Sequence, residues 1–148
     1  MIEQYFRELD DFILAADEIS DVKILRRSIW DTELEKIGIY RYRIHFFDES
    51  LLELTERLVE EGGILKITKY RFHWQNKEGD IIKRWDNARH HPEIETFPFH
   101  LHDGSDDNVI CHKEINGLEV ISKIIDEVNK GAGEKSPFRL RTKRFRYE

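Results

Sequence analysis

The stretch KRWDNARHHPEIETFPFHLH, residues 83–102, concentrates the side chains of this chain that can do chemistry. Four of the seven histidines fall in its last thirteen residues, as His90-His91 and as His100-x-His102. Arg84, Asp86 and Asn87 stand just upstream. Histidine titrates near neutrality and can take or give a proton. The guanidinium fork of arginine meets two phosphate oxygens at once. A carboxylate such as Asp86 can hold an imidazole in one tautomer, and Asn87 suits a turn that leaves a strand. Metal-free cleavage of a phosphodiester needs these types: a base for the attacking hydroxyl, an acid for the leaving oxygen, and a cation for the developing charge. On that reading Arg84 and one of His90 or His91 meet the phosphate, and His100 or His102 is the second acid–base partner.

Two other readings compete. His-x-His on an extended segment points both rings to one side, so His100 and His102, with a third ligand from His90, His91 or Asp86, could hold a divalent metal. That spacing matches no defined zinc signature. Alternatively the histidines are structural and satisfy backbone groups around a proline-bearing loop. Four histidines beside Arg, Asp and Asn fit that last reading less well than one would.

The elements that must position this stretch follow from hydrophobic period. Residues 3–19 carry Tyr5, Phe6, Leu9, Phe12, Ile13 and Ala16 at helical spacing. From Val22 the period becomes two. VKILRRSIW reads as a strand, and IGIYRYRIHFF sets Tyr40, Tyr42, Ile44 and Phe46 against Arg41, Arg43 and His45. LLELTERLVEE reads as a strand because a short turn joins it to the previous run. Next, ILKITKYRFHWQ sets Tyr70, Phe72 and Trp74 against Lys69, Arg71 and His73, and IIKRWD returns from the turn NKEGD. The histidine stretch then runs as extended or turned chain held by Pro92 and Pro98. GLEVISKIIDEVNKG is a second helix with Leu118, Ile121, Ile124, Ile125 and Val128 on its apolar face. The expected fold is α+β: an antiparallel β-meander of about five or six strands packed against an N-terminal and a C-terminal helix. Residues 1–131 form a single domain, and 132–148 form a linker and a basic tail.

At 148 residues, 39% hydrophobic and 36% charged, the chain has apolar material for one core. It has no apolar run near the ~20 residues that span a bilayer and no signal-peptide layout. Its single cysteine, Cys111, excludes an intrachain disulfide framework. A soluble cytoplasmic protein that does not engage membrane is expected. The last ten residues hold five basic groups and one acid, net +4, which leaves −10 of the total −6 on the other 138 residues. Such a tail suits RNA, through Arg139, Arg141, Lys143, Arg144 and Arg146, or the acidic body of a second subunit in a homodimer. A solvated terminus is the plainer alternative. On the sheet, Arg71 and His73 are candidate nucleic-acid contacts. Glu53 and Arg57 on the strand between offer ordinary cross-strand charge pairs instead.

The order of an aromatic strand YRFHWQ, a turn, RWDNARHH, FPFHLH and a closing helix resembles the TumE family, the toxin members of prokaryotic two-gene toxin–antitoxin modules. The similarity runs from about Ile37 to Val128. Where the family pattern has proline before the double histidine this chain has Arg89, a departure that removes no candidate catalytic group. The resemblance implies a small toxin paired with an antitoxin that carries a DNA-binding helix-turn-helix domain. By analogy with other small toxins it points to an RNA-cleaving, metal-independent enzyme with RNA as substrate and no cofactor. The alternative is a non-catalytic binding module, or a metal-binding partner of such an antitoxin, with His90, His100 and His102 as ligands.

Overall fold

The computed structural model describes residues 1–131 and 145–147. In chain order the elements are α1 (Ile2–Ala15), β1 (Ile19–Asp31), β2 (Lys36–Phe46), β3 (Leu51–Glu61), β4 (Ile64–Gln75), β5 (Ile81–Asp86), β6 (His100–Asp103), β7 (Val109–Cys111), α2 (Gly117–Gly131) and β8 (Phe145–Tyr147). The strands form one sheet in the order β7-β6-β5-β4-β3-β2-β1-β8. Every pairing is antiparallel except β1 with β8. The α+β class and the two helices agree with expectation, but the sheet has eight strands rather than five or six. The additional strands are short ones at the two edges. α1 also ends earlier than its apolar spacing suggested, because Ile19 leaves the helix to pair with Phe46 at the start of β1.

Period-two alternation builds the meander. One face of the sheet buries Tyr40, Tyr42, Ile44, Phe46, Leu52, Leu54, Leu58, Tyr70, Phe72, Trp74, Trp85 and Leu101. Against it pack Ile2, Phe6, Leu9 and Ile13 of α1 and Val120, Ile121, Ile124 and Val128 of α2. Phe12, placed on the apolar face by its spacing, is instead 37% exposed. The tight β3–β4 hairpin is closed by Gly62 and Gly63, with φ of 58° and 76°. Two successive positive φ values are what a two-residue turn matched to strand twist requires, and glycine adopts them without strain.

One charged residue sits inside the core. Glu56 lies on β3 in the row that Leu52, Leu54 and Leu58 otherwise fill, and it is fully buried. Its Oε1 accepts hydrogen bonds from Tyr40, from Tyr5 (2.7 Å) and from the backbone N–H of Gly117 at the start of α2 (3.2 Å). A helix N-terminus has free N–H groups and a positive dipole end, so it suits a carboxylate. A Cβ on residue 117 would come within 2.6 Å of both Glu56 Oε1 and the Tyr40 hydroxyl, which accounts for the glycine. Asn116 caps the same helix, accepting the Glu119 N–H at 3.0 Å.

Candidate active site

The face of the sheet opposite the helices carries the site. Register pairing defines two adjacent rows that cross it. The first runs Arg146, Lys23, Arg43, Glu53, His73, Arg84, His102. The second runs Arg26, Arg41, Thr55, Arg71, Asp86, His100. Both rows are rich in cations and both end on β5 and β6 at the histidines. Glu53 binds Arg41 at 2.9 Å and Arg43 at 2.8 Å, so the expected cross-strand pairing is present there. Arg57 donates to Thr68 Oγ1 at 2.9 Å rather than to an acid. Arg26 and Arg71 are exposed and have no carboxylate partner among the described residues.

At the end of the rows Asp86, His100 and His102 are all buried, at 7%, 2% and 5% exposure. Polar burial of this kind is costly unless each group is paired. Here Asp86 Oδ1 lies 2.9 Å from His100 Nε2 and accepts the Ala88 N–H at 3.0 Å. Its Oδ2 lies 3.6 Å from His102 Nε2 and accepts from Arg84 Nε at 3.4 Å. Arg84 also reaches Asp106 Oδ1 at 2.6 Å and His102 Nε2 at 3.3 Å, both through Nη2. Most of its guanidinium is therefore committed within the cluster. Burial, together with the neighbouring Arg84 charge, pushes His102 below the ordinary imidazole value against the pull of the Asp106 carbonyl.

The loop from Asn87 to Phe99 folds over this end of the sheet. Asn87 starts it: its Oδ1 accepts the Tyr70 N–H at 3.0 Å and its Nδ2 donates to the Thr68 carbonyl at 3.2 Å, so the side chain continues the ladder where β5 stops. The loop brings in His91, whose ring meets those of His100 and His102 edge-on with centroids 5.1 and 5.9 Å away. The His100 and His102 rings are 5.0 Å apart. One nitrogen from each of the three rings lies within 4.8 Å of the others. His90, one residue away, is exposed and is not part of this group.

Five of the six expected catalytic residues thus converge: Arg84, Asp86, His91, His100 and His102. His90 stays outside, and the three-histidine set contains His91 in its place. Arg71 and His73 lie in the cation rows. Arg146 does too, bound to Asp21 beside Lys23. Arg139, Arg141, Lys143 and Arg144 lie outside the described residues. Sequence reasoning missed Asp106, Glu93 and the Pro98 carbonyl, which hold Arg84 and the three rings in place. Asp106 sits in a polar loop, HDGSDDN, whose composition marks a turn and nothing more.

The model of one protein family, described as Toxin TumE, matches residues 9–130 and so includes strands β1 to β7, the histidine loop and nearly all of α2. The chain belongs to the TumE toxin family. Its function class is that of a toxin. No curated protein and no solved structure matches it. Among the described residues of this TumE-family chain, no helix is long and apolar enough to cross a membrane.

Proposed function

We propose that this TumE-family toxin cleaves RNA, with the scissile phosphate over the cluster of Asp86, His91, His100 and His102. The observation that supports it most is the pair of cation rows that cross the open sheet face and end at these side chains. A phosphodiester chain binds cations first and sequence second, and the rows lay a track towards the groups that can move protons. In RNA the attacking group is at hand. The ribose 2′-hydroxyl oxygen bonds to phosphorus while its proton passes to the cluster. The bond from phosphorus to the 5′ oxygen breaks, and that oxygen leaves with a proton. A 2′,3′-cyclic phosphate and a 5′-hydroxyl result. Arg84 keeps Asp86 and His102 in register, and Asp86 orients His100. The natural counterpart of such a toxin is an antitoxin carrying a helix-turn-helix DNA-binding domain.

Purified full-length protein incubated with total RNA and with a ribose-to-deoxyribose substituted oligonucleotide tests this reading. Cleavage of RNA only, lost in His91→Ala, is the expected result. Growth inhibition without any RNA cleavage by the purified protein would instead favour a non-catalytic binding module.

A further inference from the structure

We propose that His91, His100 and His102 hold one divalent transition-metal ion of the zinc class through their Nε2 atoms, with Asp86 as the adjoining carboxylate. The first support is the direction of the rings. Each of the three Nδ1 atoms lies against an oxygen: His91 against the Glu93 carboxylate at 3.1 Å, His100 against the Pro98 carbonyl at 2.9 Å, and His102 against the Asp106 carbonyl at 2.8 Å. An Nδ1–H donated outward leaves the Nε2 lone pair facing in, and this outer bond is the usual support of a metal-binding imidazole. Three rings held this way, on two different elements, bring one nitrogen each within 4.8 Å of the others.

The second support is a surplus of acceptors. His100 has an oxygen at both nitrogens, the Pro98 carbonyl and Asp86 Oδ1, the latter 2.9 Å from Nε2. A neutral imidazole has one N–H and cannot serve both, so either a second proton or a cation stands between Nε2 and the carboxylate. A cation bound by Nε2 and the carboxylate together removes the conflict. Imidazole with carboxylate is a zinc-type donor set, whereas magnesium and calcium prefer oxygen alone. Ligands about 2.0–2.1 Å from zinc stand about 3.4 Å apart. The present spread of up to 4.8 Å closes by rotation of the rings, for which His91, on a loop and only partly buried, has the most room. Arg84 Nη2 now sits 3.3 Å from His102 Nε2. The ion takes that place, and Arg84 keeps Asp106 at 2.6 Å as its partner. This departs from the metal-free expectation. It rests on the RNA-cleaving reading only for the ion's use: with the three Nε2 atoms bound, the ion would polarise the phosphate, and proton transfer would fall to groups other than these imidazoles.

The test is a zinc titration of tag-free, chelator-stripped full-length protein, followed by calorimetry against a competing chelator and by thermal melts. One ion per chain should bind with a dissociation constant below about a micromolar, and zinc should raise the melting temperature. His91→Ala, on the loop, should weaken binding at least 10-fold and lose the thermal shift, while His90→Ala should change neither. Absence of saturable binding, or equal binding by His91→Ala and the parent, overturns the proposal. RNA cleavage by stripped protein that zinc neither binds nor alters would sink the ion and leave the nuclease. Tight zinc binding by a protein inert towards RNA would leave the ion and sink the nuclease.

Discussion

Asp86 and His100 face each other across the β5–β6 ladder, with the carboxylate Oδ1 2.9 Å from the imidazole Nε2. Asp86 also touches Arg84, His100 and His102 together. Asp86→Asn keeps the shape and the acceptor for the Ala88 N–H but removes the charge. RNA cleavage, and with it growth inhibition, should fall about 10- to 100-fold, the usual effect of losing an orienting carboxylate. The protein should remain folded, because Arg84 retains Asp106. Circular dichroism beside a cleavage assay checks it, and an Asn variant with parental activity would remove Asp86 from the site.

The meander was legible because alternation over many residues leaves one solution for which face is buried. Tyr70, Phe72 and Trp74 on β4 are buried together, as their parity demands. β6 alternates too, with Leu101 towards the helices and His100 and His102 on the other face, yet three of its four residues are buried and two of these are histidines. Period alone cannot distinguish a polar buried strand from a loop. β7 and β8 have three residues each, too few to establish a period. Loop closure decided between His90 and His91, since adjacent residues differ only in which way the turn points them. Glu56 was visible in principle: it interrupts the run Leu52, Leu54, Leu58 at the same parity, and a charge there has to be buried or has to bend the strand.

That carboxyl carries a pH prediction. Burial pushes Glu56 up to about 7 from 4.5, against the hydrogen bonds from Tyr40, Tyr5 and Gly117 that favour its charge. Between these two values the native state keeps a proton that the unfolded chain has released. Stability therefore falls as pH rises from about 4.5 through about 7, by on the order of 3 kcal/mol from this group. Glu56→Gln accepts the same bonds through its amide oxygen and does not titrate. Urea unfolding from pH 5 to pH 8 should give a flatter profile for Glu56→Gln, with the variant the more stable protein at pH 8. Parallel profiles would show that Glu56 does not titrate in this range.

Trp74 tests the assignment of the faces. It is 5% exposed, opposite Leu52 on β3 and Lys83 on β5, and it lines a cavity of about 260 Å³ beneath α2 with Trp85, Leu101 and Ile124. Trp74→Ala should cost about 3–5 kcal/mol, a large share of a typical domain stability. Denaturant midpoints measure this directly. A loss under 1 kcal/mol would mean that this end of the sheet is not packed as described.

The last prediction concerns the track. Arg26 and Arg71 stand in the same row as Asp86 and His100, are exposed, and lack carboxylate partners among the described residues. Arg41 and Arg43 share Glu53, so part of their charge is already answered. If single-stranded RNA crosses this face, each free arginine that meets a phosphate contributes about 0.7 to the log–log salt slope of binding. The double variant Arg26→Ala, Arg71→Ala should therefore flatten the slope by up to about 1.4 and weaken binding at low salt far more than at high salt. Stability should be nearly unchanged, because exposed arginines without partners contribute little to it. Glu53→Gln should act in the opposite direction, strengthening RNA binding by releasing Arg41. Titrations of a short oligoribonucleotide from about 50 to 200 mM salt compare the three proteins. A parental slope in the double variant, or weaker binding by Glu53→Gln, would place the RNA on another surface.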